Sequence, residues 1–169
     1  MLKRIKTKTV RANGSNFAIV ASRYNARYVD AMVRAARAEL KRAGAKRVEV
    51  VRVPGAFEIP VVAAQLAAQG VVHATRDTQP TPFSAIICLG VILRGETVHA
   101  AHIGDAVSRA LMQIQLEHGV PVIHEVLLLE NEQQARARCL SKTHNRGTEA
   151  AQTALAMARV MAIVSGQRR

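Results

Sequence analysis

Short β-branched apolar runs alternate along this chain with stretches of helical spacing. The runs are Phe17–Ala21, Val48–Val53, Ala85–Leu89 and Pro121–Leu129. After the first, Val29, Met32, Val33, Ala36 and Leu40 recur at helical spacing; after the third, Ile103, Ala106, Val107, Ala110, Leu111 and Ile114 do so. The last segment carries Ala151, Ala154, Leu155, Ala158, Met161 and Ala162 on one face. Strand–helix alternation of this kind predicts an α/β fold: a parallel sheet with helices on both sides and right-handed crossovers.

The punctuation agrees. Gly44, just past Lys41 and Arg42, ends the first helix; Glu58 opens a helix; Asn131 caps a short one, with Glu132 in its first turn. Residues 1–15 have no helical period and read as an N-terminal arm, with Lys8–Arg11 a candidate extra strand on a neighbouring subunit. The polar stretch 73–82, with two prolines, reads as a surface loop, and 165–169 as a frayed end. The whole length, 1–169, fits one domain.

Composition narrows the function. With 49% apolar residues and no Trp, the core must be built from Ala, Val, Leu and Ile. The net charge of +12 attracts phosphates, nucleic acid or anionic membranes. Nucleic acid is not expected, because stacking aromatics, zinc-finger spacing and a dense Lys/Arg run are all lacking. Cys88 reads as core and Cys139 as helical, so the two form no disulfide framework. The first ten residues have no apolar signal segment, and no run reaches the roughly 18 apolar residues of a membrane span. A reduced, cytoplasmic protein is the expectation.

Ligands of open parallel sheets bind outside the carboxyl ends of the strands. The residues after each run are Ser22–Asn25, Pro54–Glu58 and Gly90–His99, with His124, Glu125 and Glu130 in and after the fourth. The third stretch is the sharpest. Gly90 and Gly95 allow a bend, and Thr97 precedes a strongly periodic helix, so its hydroxyl and nearby backbone N–H groups suit an anion. Arg94 adds charge there or makes a structural salt bridge. His99, at the helix start, is either a partly exposed helical residue or a proton-transfer group beside the anion. Tyr24 either stacks on a flat ring or fills the core. Gly55–Glu58 offers backbone groups, an aromatic face and a carboxylate to a polyol, and Arg138 can grip a phosphate bidentately. No metal site is read: His99 and His102 lack further ligands. Nucleophile-elbow, P-loop and dinucleotide-binding motifs are absent.

Taken together, Phe17–Asn25, Val53–Pro60, Leu89–His99 and Asn145–Ala151, in that order, resemble the 6,7-dimethyl-8-ribityllumazine synthase family. The resemblance runs from about Phe17 to Val164. It implies a three-layer αβα sandwich on a four-stranded parallel, flavodoxin-like sheet. It further implies a transferase of riboflavin biosynthesis that condenses 5-amino-6-(D-ribitylamino)uracil with 3,4-dihydroxy-2-butanone 4-phosphate and releases phosphate, without cofactor or metal. By that resemblance His99 is the proton-transfer group, and Gly95, Glu96 and Thr97 with Arg138 of a neighbouring subunit bind the phosphate. Tyr24 stacks on the pyrimidine, Ala56, Phe57 and Glu58 meet the ribityl chain, and Ile92 and Leu93 line the pocket. Lys142, Arg146 and Glu149 support the site.

Some positions depart from the family's pattern. His124 stands where an aromatic is common, Glu125 where glycine is frequent, and Leu128-Leu129 in place of Thr-Thr. The segment Leu140–Arg146 keeps basic and amide residues but lacks two glycines, and the 73–82 loop is long. These changes fall on the subunit-interface half of the pocket, where His124 can still stack. The resemblance also implies a homopentamer with sites between subunits, which in some members builds a 60-subunit shell. Two other readings stay open: a member that binds lumazine or flavin without efficient catalysis, motivated by the altered His124–Leu129 stretch, and a shell-forming structural protein, motivated by the charge.

Overall fold

Each apolar run becomes a strand: β1 (Asn16–Ser22), β2 (Arg47–Val53), β3 (Ala85–Leu93) and β4 (Val122–Leu129). They pair in parallel in the order β2-β1-β3-β4. The helices are α1 (Ala26–Arg42), α2 (Ile59–Ala68), α3 (His99–His118), α4 (Glu132–Ala135) and α5 (Arg146–Val164), with a π-helical turn (Arg136–Leu140) directly after α4. This computed structural model describes residues 10–12, 14–68 and 83–166. The 73–82 loop and most of the N-terminal arm lie outside the described residues. So do Lys8 and Thr9 of the candidate extra strand, whose other two residues, Val10 and Arg11, belong to no strand.

The sheet is flanked on both sides, as a parallel sheet must be to cover two apolar faces. Along β1 the side chains alternate: Phe17, Ile19 and Ala21 join the core under α1 and α5, while Ala18 and Val20 join the core under α2 and α3. All of β1 is buried. The connection through α1 runs on one side and those through α2 and α3 on the other, so the crossover direction reverses between β1 and β3. That is the switch point where open α/β sheets leave a crevice.

One expectation needs correction. The sequence reading ends the third strand at Leu89 and treats Gly90 as a bend, but β3 runs on to Leu93. The reason is tertiary: Gly90, Val91, Ile92 and Leu93 are paired by Val126, Leu127, Leu128 and Leu129 of β4. Gly90 serves close packing within the strand, since a Cβ there would lie 3.1 Å from Val126 Cγ1 and 3.3 Å from Ile59 Cδ1. The bulk of the loop that follows is therefore Arg94–Val98.

The Gly44 stop and the Asn131 cap behave as read, while α2 starts at Ile59, one residue after Glu58. Gly44 adopts φ +85° after α1, and the Asn131 side chain accepts a hydrogen bond from Gln134 N at 3.0 Å to cap α4. Asn145 caps α5 through Gly147 N at 2.8 Å. The tightest helix contact is between α1 and α5. A Cβ on Gly147 would sit 2.1 Å from the Met32 carbonyl oxygen, a backbone atom with no room to yield. We predict that Gly147→Ala costs about 3 kcal/mol, the upper range for overpacking. Denaturant titration should show a lower midpoint at constant slope. An unchanged midpoint would mean that α1 and α5 part freely.

Candidate active site

The crevice is built by loops tied to one another at the carboxyl edge. Arg23 N donates to Val53 O at 2.8 Å and Tyr24 N to Pro54 O at 3.1 Å, which fastens the β1–α1 loop to the end of β2. Asn25 then reaches across the switch point: its Nδ2 donates to Val91 O of β3 at 2.8 Å. Its backbone is left-handed, φ 56°, a conformation asparagine tolerates better than most residues. Sequence reasoning gave Asn25 no role, although an Asn directly before a helical period is a signal for such a turn.

Held in this way, Tyr24 is 72% exposed, which removes the core alternative. Its ring lies against Gly55, where a Cβ would meet Tyr24 Cδ2 at 3.2 Å. Ala56 is buried, Phe57 is 61% exposed, and Glu58 is half-buried. α2 begins one residue after Glu58, whose Oε2 accepts from Gly55 N at 2.8 Å, so the carboxylate braces its own loop. Ile92 and Leu93 are half-buried at the end of β3. Two aromatic faces thus stand open beside an apolar strand end.

The next loop offers polar groups. Gly95, Glu96, Thr97 and His99 are all exposed, and His99 is the first residue of α3. Among the described residues no side chain caps α3, so the amides that open the helix have no side-chain acceptor there. Thr97 lies two positions before the helix and does not cap it. Arg94 resolves towards the salt bridge: its Nη1 lies 3.0 and 3.1 Å from the two carboxylate oxygens of Glu130.

The fourth strand divides its two unusual residues between opposite faces of the sheet. His124 faces α3, and Glu125 faces α5. They do not converge on the same edge group as expected, because neighbouring strand residues alternate. Glu125 is buried and pairs in a fork with Arg146, Oε2 to Nε at 3.0 Å and Oε1 to Nη2 at 2.9 Å. Arg146 Nη1 also donates to Glu149 at 2.7 Å. Burial pushes the Glu125 carboxyl above the usual carboxylate range, although Arg146 works against this. Burial disfavours the Arg146 charge, but Glu125 and Glu149 more than offset it and its pKa rises. Arg138, on the π-helical turn, and Lys142 are exposed and make no hydrogen bond or ion pair among the described residues. Nor does any such bond join the 94–99 loop to Arg138, Lys142 or Arg146.

The sequence model of the family described as 6,7-dimethyl-8-ribityllumazine synthase matches residues 14–162. The chain belongs to this family. It is 41% identical over 157 residues to the 6,7-dimethyl-8-ribityllumazine synthase of Xanthomonas campestris pv. campestris (strain B100), covering 92% of this chain and 95% of that protein. It is 42% identical over 149 residues to the protein of the same name from Stenotrophomonas maltophilia (strain R551-3), covering 87% and 89% of the two chains. For this lumazine synthase family member, the first three motifs all end at the carboxyl edge of the sheet, and the fourth opens α5. No helix of the described residues is long and apolar enough to cross a membrane, and no three His, Cys, Asp or Glu residues among them gather as metal ligands would.

His124 is held in one tautomer by its two hydrogen bonds. Val126 N donates to Nδ1 at 3.2 Å, so Nδ1 carries no proton. Nε2–H then donates to Ser108 Oγ at 2.8 Å, and that hydroxyl donates to Gly104 O at 2.7 Å. Ser108 escaped the sequence reading because no local pattern marks it. The side chain keeps some exposure at the sheet edge, yet desolvation by the surrounding protein lowers its pKa from 6.5. A lowered histidine pKa means that this group binds fewer protons in the folded state than in the unfolded chain, so its contribution to stability is full above pH 6.5 and is lost as pH drops below it. Nuclear magnetic resonance titration should place His124 below 6.5, with Nδ1 the unprotonated nitrogen. A value at or above 6.5 would refute this reading of the ring.

Proposed function

We propose that the protein is an active 6,7-dimethyl-8-ribityllumazine synthase of riboflavin biosynthesis. It condenses 5-amino-6-(D-ribitylamino)uracil with 3,4-dihydroxy-2-butanone 4-phosphate. The observation that carries this is a colinear one: three family motifs meet at one carboxyl edge, where His99 opens α3 directly after the exposed Gly95–Thr97 loop. The chemistry needs no nucleophile from the protein. A substrate amine attacks the ketone and water leaves as an imine forms; phosphate is then eliminated, and ring closure releases a second water. The protein's share is positioning and proton transfer.

In this reading His99 moves the protons. The pyrimidine stacks on Tyr24 beside Ile92 and Leu93, and the ribityl chain meets Ala56, Phe57 and Glu58. Phosphate is held by Gly95, Glu96, Thr97 and Arg138. Arg138 suits the role because its guanidinium has no partner among the described residues, whereas Arg94 is spent on Glu130. A homopentamer with sites between subunits, assembled further into a 60-subunit shell or not, fits the lack, among the described residues, of any hydrogen bond or ion pair joining the 94–99 loop to Arg138, Lys142 or Arg146 within one chain. His124, Lys142 and Glu149 complete the neighbour's side. The cytoplasm is the expected setting.

Mixing the two substrates and following lumazine fluorescence tests the reading; an absence of product would sink it, and a monomer by light scattering would sink the shared site. His99→Ala should slow turnover roughly 10- to 1,000-fold, since positioned acid–base groups contribute on that scale and the substrate amine retains its own reactivity. Arg138→Ala should raise KM for the phosphorylated substrate. A rise confined to the pyrimidine would refute the arginine's assignment.

A further inference from the structure

Glu125 lies within the influence of two guanidiniums and treats them differently. It takes Arg146 in a two-bond fork, and Glu149 takes that arginine's remaining terminal nitrogen. Arg138 makes no hydrogen bond or ion pair among the described residues, yet its charge acts on Glu125, and Glu125, Arg138 and Arg146 all act on the buried Cys139 thiol. Asn145 keeps the two arginines in a fixed relation. Its Nδ2 donates to the Cys139 carbonyl at the end of the π-helical turn, and its Oδ1 accepts from Gly147 N at the start of α5. The turn that carries Arg138 and the helix that carries Arg146 are thereby clamped together. One guanidinium has each of its three nitrogens bonded to a carboxylate; the other has none so bonded among the described residues.

We propose that Glu125 sets the phosphate affinity of the site: by occupying Arg146 it leaves Arg138 as the open guanidinium and holds the grip on phosphate down. This rests on the phosphate reading given above. A phosphate that is bound on the substrate and then eliminated must also be let go. Two open guanidiniums would hold the free anion as firmly as the esterified one, and such uniform binding adds nothing to turnover. A carboxylate at residue 125 both withdraws one cation and repels the anion. Glu125 is thus a positioning residue that acts through Arg146.

The full-length protein can be tested with inorganic phosphate as the probe, by calorimetric binding and as an inhibitor of the condensation. Glu125→Gln keeps the shape and removes the charge; phosphate should bind roughly three- to tenfold tighter and inhibit more strongly by the same factor. The double variant Glu125→Gln/Arg146→Gln should return to within about twofold of the parent, because the released cation is gone. Unchanged or weaker binding by a folded Glu125→Gln protein, or a double variant as tight as the single one, overturns the proposal. If Glu125→Gln does not fold, Arg146→Gln decides. It leaves the carboxylate unpaired beside Arg138, so phosphate should bind more weakly, and unchanged affinity overturns the proposal. An active parent whose Glu125→Gln variant is insensitive refutes this assignment alone. A parent that makes no lumazine, while the phosphate series behaves as stated, refutes the functional reading alone.

Discussion

The contact between Gly147 and the Met32 carbonyl settles how closely α5 can lie against α1, and much else hangs on that distance. With α5 seated there, its first turn brings Arg146 within reach of a carboxylate on β4 and sets Glu149 beside it. Asn145 passes the same constraint to the π-helical turn, and so to Arg138. A single missing methyl group thus fixes the charge layout around Glu125.

The loops at the carboxyl edge are fixed differently. Loops hold a geometry only when something outside them does the holding. Here the holding is done by backbone carbonyls at the ends of β2 and β3, which accept from Arg23, Tyr24 and Asn25. The aromatic side chains carry none of that load and are left to face solvent. Exposed rings usually collapse onto a core; these stay out because the backbone beneath them is already committed.

What was legible in the sequence follows from what is local. The strands, the Asn131 cap and the Gly44 stop depend on patterns a few residues long, and the structure agrees with them. The length of β3 was not legible, because Gly90 reads as a break unless β4 is known to lie alongside. Arg94 was left between two roles, since its partner Glu130 is 36 positions away. Tyr24 was similarly undecided until its exposure was known. The opposite facing of His124 and Glu125 follows from strand alternation alone. Position along the chain groups the two residues together; only the sheet's two faces separate them.

The two cysteines carry a consequence of another kind. Cys88 lies at full burial in β3, with its thiol pushed far up by desolvation, and burial raises Cys139 to about 11. Thiolate is the form that oxidants and electrophiles attack, and neither residue supplies it at neutral pH. The chain's only sulfhydryl groups are thus shielded from peroxide and from disulfide exchange. The chemistry proposed for the candidate site uses imidazole, guanidinium and a substrate amine, none of which changes oxidation state, so a catalyst of that kind is indifferent to the redox poise around it.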